Sequence, residues 1–134
     1  MGAWGSGIFE NDEALDFIDH FKARKSLPAL FKLVRGKRTE GEDESSILAC
    51  AELIAALHGF ASDALDPELD DWAEKTRKKK PVADDLIQKT IEQVSAIRDS
   101  SELRELWAET EFLDEWVAVL DHLLSRLDQP PRVA

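Results

Sequence analysis

The run from Ile47 to Leu57, Ile-Leu-Ala-Cys-Ala-Glu-Leu-Ile-Ala-Ala-Leu, is apolar at every position except Glu52. Alanine and leucine are strong helix formers, and a helix with no polar stripe has to be surrounded by other elements. The stretch therefore predicts the central rod of an all-α fold, a single bundle of six or seven helices wrapped on one apolar helix. It is roughly half the ~20 residues that a membrane span requires, and no other apolar run is longer.

Outward from the rod, hydrophobic spacing and capping residues predict the other helices. Asn11 reads as the N-cap of the first, with Asp12 and Glu13 placed to favour its dipole. Ala14, Phe17, Ile18 and Phe21 then share one face. Ser26 and Pro28 open a second helix with Leu27, Leu30, Phe31 and Val34 inward, and Gly36 stops it. The polar segment Lys37 to Glu44 reads as a loop, and Ser45 or Ser46 starts the rod, which ends near Gly59 with His58 in its last turn. Asp66 and Pro67 start a further helix with a weak stripe of Leu69, Trp72 and Ala73. Its basic end, Lys75 to Lys80, reads as a solvated helix terminus rather than a nucleic-acid patch, because it lacks interleaved aromatics. Val82 to Arg98 is amphipathic through Ala83, Leu86, Ile87, Thr90, Ile91, Val94 and Ile97. Asp99 with Glu102 has the spacing of a capping box for a short helix using Leu103, Leu106 and Trp107. Thr110 is the expected cap of the last helix, whose stripe is Leu113, Trp116, Val117, Leu120, Leu123, Leu124 and Leu127. Pro130 and Pro131 end regular structure, with a frayed tail after Gln129.

A chain of 134 residues that is 43% hydrophobic has the size and composition of one domain, residues 1–134. Acids outnumber bases 28 to 17, a net charge of −11. A field of that sign repels nucleic acid and anionic membranes, so neither is an expected partner and a basic protein is. The opening residues lack the basic start and apolar run of a secretory signal, and the expected location is the cytoplasm. The single cysteine, Cys50, lies inside the rod, which leaves no material for a disulfide framework or a thiolate metal site.

The opening, Met-Gly-Ala-Trp-Gly-Ser-Gly-Ile-Phe-Glu-Asn-Asp, is the most individual part of the chain. Gly2, Gly5 and Gly7 surround Trp4, and the expected structure is a Trp4-centred apolar plug leading into the first helix. Gly2 and Ser6 also fit a myristoylation pattern, but one acyl chain anchors only marginally. A phosphate cradle is disfavoured because Glu10, Asp12 and Glu13 bring carboxylates to the place an anion would occupy.

Met1 to Gly5, Gly7, Phe9 to Asp12 and Ala14 to Asp16 together closely resemble the start of a bacterial family of small proteins, domain of unknown function 4259. A second resemblance to that family runs through Ser101 to Glu109, Ser-Glu-Leu-Arg-Glu-Leu-Trp-Ala-Glu, and on to Trp116. The resemblance spans essentially the whole chain, loosest from Arg35 to Lys80, and implies no activity.

Candidate chemistry is sparse. No Gly-x-Ser-x-Gly elbow is present, and the acid-rich composition offers so many carboxylate pairs that none stands out as a glycosidase pair. The Glu-x-x-His signature of di-metal bundles is missing, since Phe17, Ala55 and Val119 stand three before His20, His58 and His122. Asp16 with His20, and Asp121 beside His122, read as surface pairs. No metal and no cofactor is expected.

What stands out is acidity late in the chain. Asp99, Glu102, Glu105, Glu109, Glu111, Asp114 and Glu115 fall within seventeen residues that hold one base, Arg104. Glu102, Glu105, Glu109, Glu111, Asp114 and Glu115 are the candidate partner-binding residues, and the aromatics among them, Trp107 and Phe112, are expected to point inward. The resulting expectation is a non-catalytic acidic protein-binding module, of the kind that neutralises a basic partner such as a toxin. The alternative is a small carboxylate- or metal-dependent hydrolase, which a deep pocket with converging polar groups would favour.

Overall fold

The computed structural model describes residues 5–36 and 44–131. The described residues form seven helices and no strand: α1 (Asp12–Arg24), α2 (Leu27–Arg35), α3 (Glu44–Leu57), α4 (Pro67–Lys79), α5 (Asp84–Asp99), α6 (Glu102–Ala108) and α7 (Leu113–Leu127). None is long and apolar enough to cross a membrane.

The rod is α3, and from Ile47 to Leu57 every residue is buried. Helices α1, α2, α4, α5 and α7 all pack on it, while α6 packs on α5 and α7. Ala49, Ala51, Ala55 and Ala56 make this crowding possible, because small side chains let neighbouring helix axes approach to the short end of the usual ~8–10 Å. Leu53 and Ile54 supply bulk between them, each contributing about 1.5–3 kcal/mol through burial. The rod ends in two backbone bonds, Phe60 N–H to the Ala55 carbonyl at 2.9 Å and Gly59 N–H to that of Ala56 at 3.0 Å. This closure needs a left-handed residue, and Gly59 at φ 103° provides it.

The anticipated local signals for the early helices hold. Asn11 accepts from the Ala14 N–H, Ser26 from Ala29 and Asp66 from Glu68. Gln93, buried on α5, donates to the carbonyls of Val34 and Gly36 and so ties down the end of α2. Cys50 donates to the Leu30 carbonyl at 3.3 Å.

Several expectations need correction. The rod begins at Glu44, and Ala83, assigned to a buried face, is exposed and precedes α5. Ser101, not Asp99, caps α6: its hydroxyl accepts from the Arg104 N–H and donates to the Ile97 carbonyl, while Asp99 ends α5 paired with Arg98. Thr110 does not cap α7. Its hydroxyl donates back to the Trp107 carbonyl and accepts from Phe112 N–H, which closes the turn after α6. His58, in the last turn of the rod, is buried, and its Nε2 donates to the Gln129 carbonyl at 2.6 Å. Order therefore reaches Gln129. The expected Trp4 plug and the loop over 37–43 lie outside the described residues, as does the tail from residue 132, although Ile8 of the opening segment joins the core.

Candidate functional site

All six candidate carboxylates, Glu102, Glu105, Glu109, Glu111, Asp114 and Glu115, are exposed on α6, on the turn after it and on the first turn of α7. Among the described residues none of them enters an ion pair, in contrast to Asp66, Asp85, Asp99 and Asp121, each of which holds a base. The one base of the stretch, Arg104, turns away from them and donates to the Arg98 carbonyl at 2.9 Å.

Helix geometry arranges part of this set. Glu102, Glu105, Leu106 and Glu109 recur at intervals of three and four and so share one face of α6, while Leu103 and Trp107 lie on the adjoining inward side. Two of the three large exposed apolar residues among the described ones are here, Leu106 at 39% and Phe112 at 45% exposure. Trp107 points inward as anticipated. Phe112 and Leu106 do not: α6 is under two turns long, and once Leu103 and Trp107 fill its contacts Leu106 falls at the boundary with solvent.

Two side chains outside the acidic set fix the position of α6. Ser101 satisfies one orphan N–H of its first turn, and Glu44, buried at the start of α3, accepts from the Leu103 N–H at 2.9 Å. Behind this turn lies a cavity of about 140 Å³, lined by Gly7, Ile8, Asn11 and Glu13, by Glu44, Ser45 and Leu48, by the inner edge of α6, and by Trp116. Sequence reasoning did not foresee it, since its wall is assembled from four separated segments. Its lining draws on both stretches that carry the family resemblance.

A second charged arrangement lies in the interior. Arg126 donates to both carboxylate oxygens of Glu52, at 2.8 and 2.9 Å, to the Phe60 carbonyl at 3.0 Å and, through Nε, to His122 Nδ1 at 3.2 Å. It was missed from the sequence, though a lone acid in an apolar helix was a signal that some cation must reach it. A cleft of about 390 Å³ beside it brings Ser62 and His122 close to the pair. The arrangement is not that of a nucleophilic triad, because a guanidinium rather than a carboxylate faces His122 Nδ1 and Ser62 is turned to the Ala64 N–H. The other proposed pairs resolve as surface contacts: His20 Nδ1 faces the backbone carbonyl of Asp16, and Asp121 holds Arg98. Among the described residues no three His, Cys, Asp or Glu side chains gather as a metal site would require. At the opening, Glu10 accepts from the Gly7 N–H, so that amide already serves a carboxylate, and a Cβ on Gly5 or Gly7 would fall on the same group.

Fold and site together define an all-α bundle with a buried ionic clamp and an acidic, partly apolar face above a small cavity. The chain belongs to the family described as Domain of unknown function (DUF4259), whose family model matches residues 2–119. Comparison with curated proteins and with solved structures finds no match.

Proposed function

We propose that this protein is a non-catalytic binding module that docks a basic protein on the face formed by α6 and the start of α7. A partner that it neutralises, as an immunity protein does a toxin, is the kind of biology this suits. The observation that carries the reading is the set of six exposed carboxylates that form no ion pair among the described residues, around exposed Leu106 and Phe112. Unpaired charge around an apolar anchor gives steering and specificity together, because the charges act on encounter and the anchor on residence. A cytoplasmic setting fits the lone buried thiol.

The test is capture from native lysate at low and high salt, using wild type and the double variant Glu105→Lys/Glu109→Lys. Wild type should retain a basic protein whose on-rate falls as ionic strength rises past ~0.1 M, where the screening length is ~10 Å. The variant should lose it while its stability changes by less than about 0.5 kcal/mol. Equal capture by both forms, or salt-independent capture, removes the support for this face.

A further inference from the structure

A cleft of about 400 Å³ opens between the end of α3, α4 and α7. Its charged wall is Asp70, Glu74 and Arg77 of α4 together with Arg126 of α7. Steps of four and three place the α4 residues on one face of that helix. Ala56, Gly59, Phe60 and Ala61 supply the uncharged wall. None of the described lining residues belongs to α6, so this cleft is separate from the docking face proposed above.

Arg77 is the group in it that needs an explanation. Its Nε and Nη1 are buried without a hydrogen-bond partner, and among the described residues they are the only side-chain nitrogens or oxygens in that condition. Buried polar groups are paired so regularly that an exception calls for a reason. A guanidinium cannot escape by giving up its proton. Nor has Arg77 taken its local partner: Glu74, three residues earlier on the same face, holds Lys78 at 3.5 Å. Arg126 is committed to both oxygens of Glu52. Exposed Asp70 forms no ion pair among the described residues. One positive and one negative charge thus line the same cleft without meeting.

Separated opposite charges suit a ligand that carries both. A dianion such as phosphate would meet Asp70, Glu74 and a net charge of −11, and a simple amine would meet two guanidiniums. A carboxylate matches the planar guanidinium fork, and an ammonium group matches Asp70. Nε and Nη1 lie out of reach of water in the present position of this half-buried side chain. A turn about its outer torsions that brings the fork to a carboxylate exchanges unmade hydrogen bonds for charge-assisted ones. The volume falls within the ~300–1,000 Å³ of small-molecule sites.

We infer that this cleft binds a free α-amino acid, with Arg77 taking its carboxylate, Asp70 its ammonium group, and the wall of Ala56, Phe60 and Ala61 its side chain.

The experiment is calorimetric titration of the intact protein with each of the common L-amino acids. At least one should bind. Its N-acetyl form, which lacks the cation, and its amide, which lacks the anion, should each bind at least about tenfold more weakly, as loss of a charge-assisted hydrogen bond implies. Arg77→Gln and Asp70→Asn should each weaken the amino acid by about tenfold or more. Lys79→Gln, an equal change of charge to Arg77→Gln in the same last turn but outside the cleft lining, should weaken it less than about threefold. In ¹⁵N-labelled protein the Nε–H resonance of Arg77, assigned with Arg77→Lys, should shift on binding, a response that a purely structural arginine would not give.

Failure of every amino acid to bind more tightly than about 10 mM overturns the site. Acetate, inorganic phosphate or the N-acetyl form binding as tightly as the amino acid would make this a plain anion site and overturn the assignment. Equal losses in Lys79→Gln and Arg77→Gln would mean diffuse attraction, which overturns it as well. Should Arg77→Gln fail to fold, Asp70→Asn, a change at an exposed position, and the Arg77 resonance decide the question.

Discussion

Truncating Arg126 tests the interior most severely. In Arg126→Met the alkyl volume is largely kept, but Glu52, 3% exposed in the middle of the rod, loses both hydrogen bonds to the guanidinium. The Phe60 carbonyl loses a donor as well. Removing one member of a buried pair costs about 3–5 kcal/mol, because the remaining charge is left in a medium that solvates it poorly. For a chain of this length about 1 kcal/mol corresponds to about 3–4 °C, so the midpoint should fall by about 10–18 °C. The double variant Glu52→Leu/Arg126→Met should recover most of that loss or exceed the wild type, since apolar replacement of a whole buried pair is often neutral or stabilising by about 1–4 kcal/mol. Urea melts of the four members of the cycle give the coupling directly. A loss below about 1 kcal/mol for Arg126→Met, or additivity across the cycle, would mean that water reaches the pair and that the reasoning from burial is wrong.

Two further outcomes follow from the same geometry. The Lys22 ammonium, 2.8 Å away, and the Glu68 N–H hold the Asp66 carboxyl below its ordinary value, and Arg98 does the same for Asp99. Carboxyls lowered in the folded state add stability that is present above the unfolded value of about 3.9 and is lost as pH falls through the folded ones. Melting temperature should therefore drop on acidification below about pH 4, and Asp66→Asn should flatten that limb; an unchanged acid limb in the variant would refute the assignment. Burial pushes the Cys50 thiol up, so a disulfide reagent should label the native protein only at the rate at which it opens. Rapid stoichiometric labelling without denaturant would show that α3 is not enclosed.

How much of this was legible in the sequence depended on how far apart the interacting groups lie. The rod could be read because its burial is written into eleven consecutive residues. Asn11, Ser26 and Asp66 were readable as caps because each acts on an amide two or three positions along. The clamp between Glu52 and Arg126 spans 74 positions, and no local pattern marks Arg126 as the partner rather than another base. Around α6 the difficulty is different. Asp99 and Ser101 are both competent caps two residues apart, and the choice falls to Ser101 because Asp99 is held by Arg98. Leu106 was misplaced because seven residues make too little helix for spacing to separate a buried edge from an exposed one. The exposed carboxylates could be anticipated from composition, whereas the cavity behind them exists only once the cap of α1, the start of α3, α6 and α7 have met.

The placement of those carboxylates is itself an argument. Glu105 with Glu109, and Glu111 with Glu115, are like charges four positions apart. On a continuous helix each such pair costs about 0.2–0.5 kcal/mol, and the second spans the start of α7. Glu109 also sits at the carboxyl end of α6, where the helix dipole disfavours an anion. Local stability would prefer lysine there, as α4 illustrates with Arg77, Lys78 and Lys79 in its last turn. At those pairs and at Glu109 the acids cost the free protein a little, whereas Glu102 and Glu105 in the first turn of α6 and Asp114 and Glu115 in that of α7 stand where the helix dipole favours them; a small cost of that kind is what the docking face proposed above would carry. In the Glu105→Lys/Glu109→Lys protein the two lysines again repel each other, and the base gained at the carboxyl end of α6 is offset by the acid lost from its first turn, so it should melt within the equivalent of about 0.5 kcal/mol of wild type. A variant of unchanged stability that fails to dock would locate the function in these charges rather than in the integrity of the fold. A clear loss of stability would instead mean that the face is built for structure, and the unpaired acids would then need another explanation.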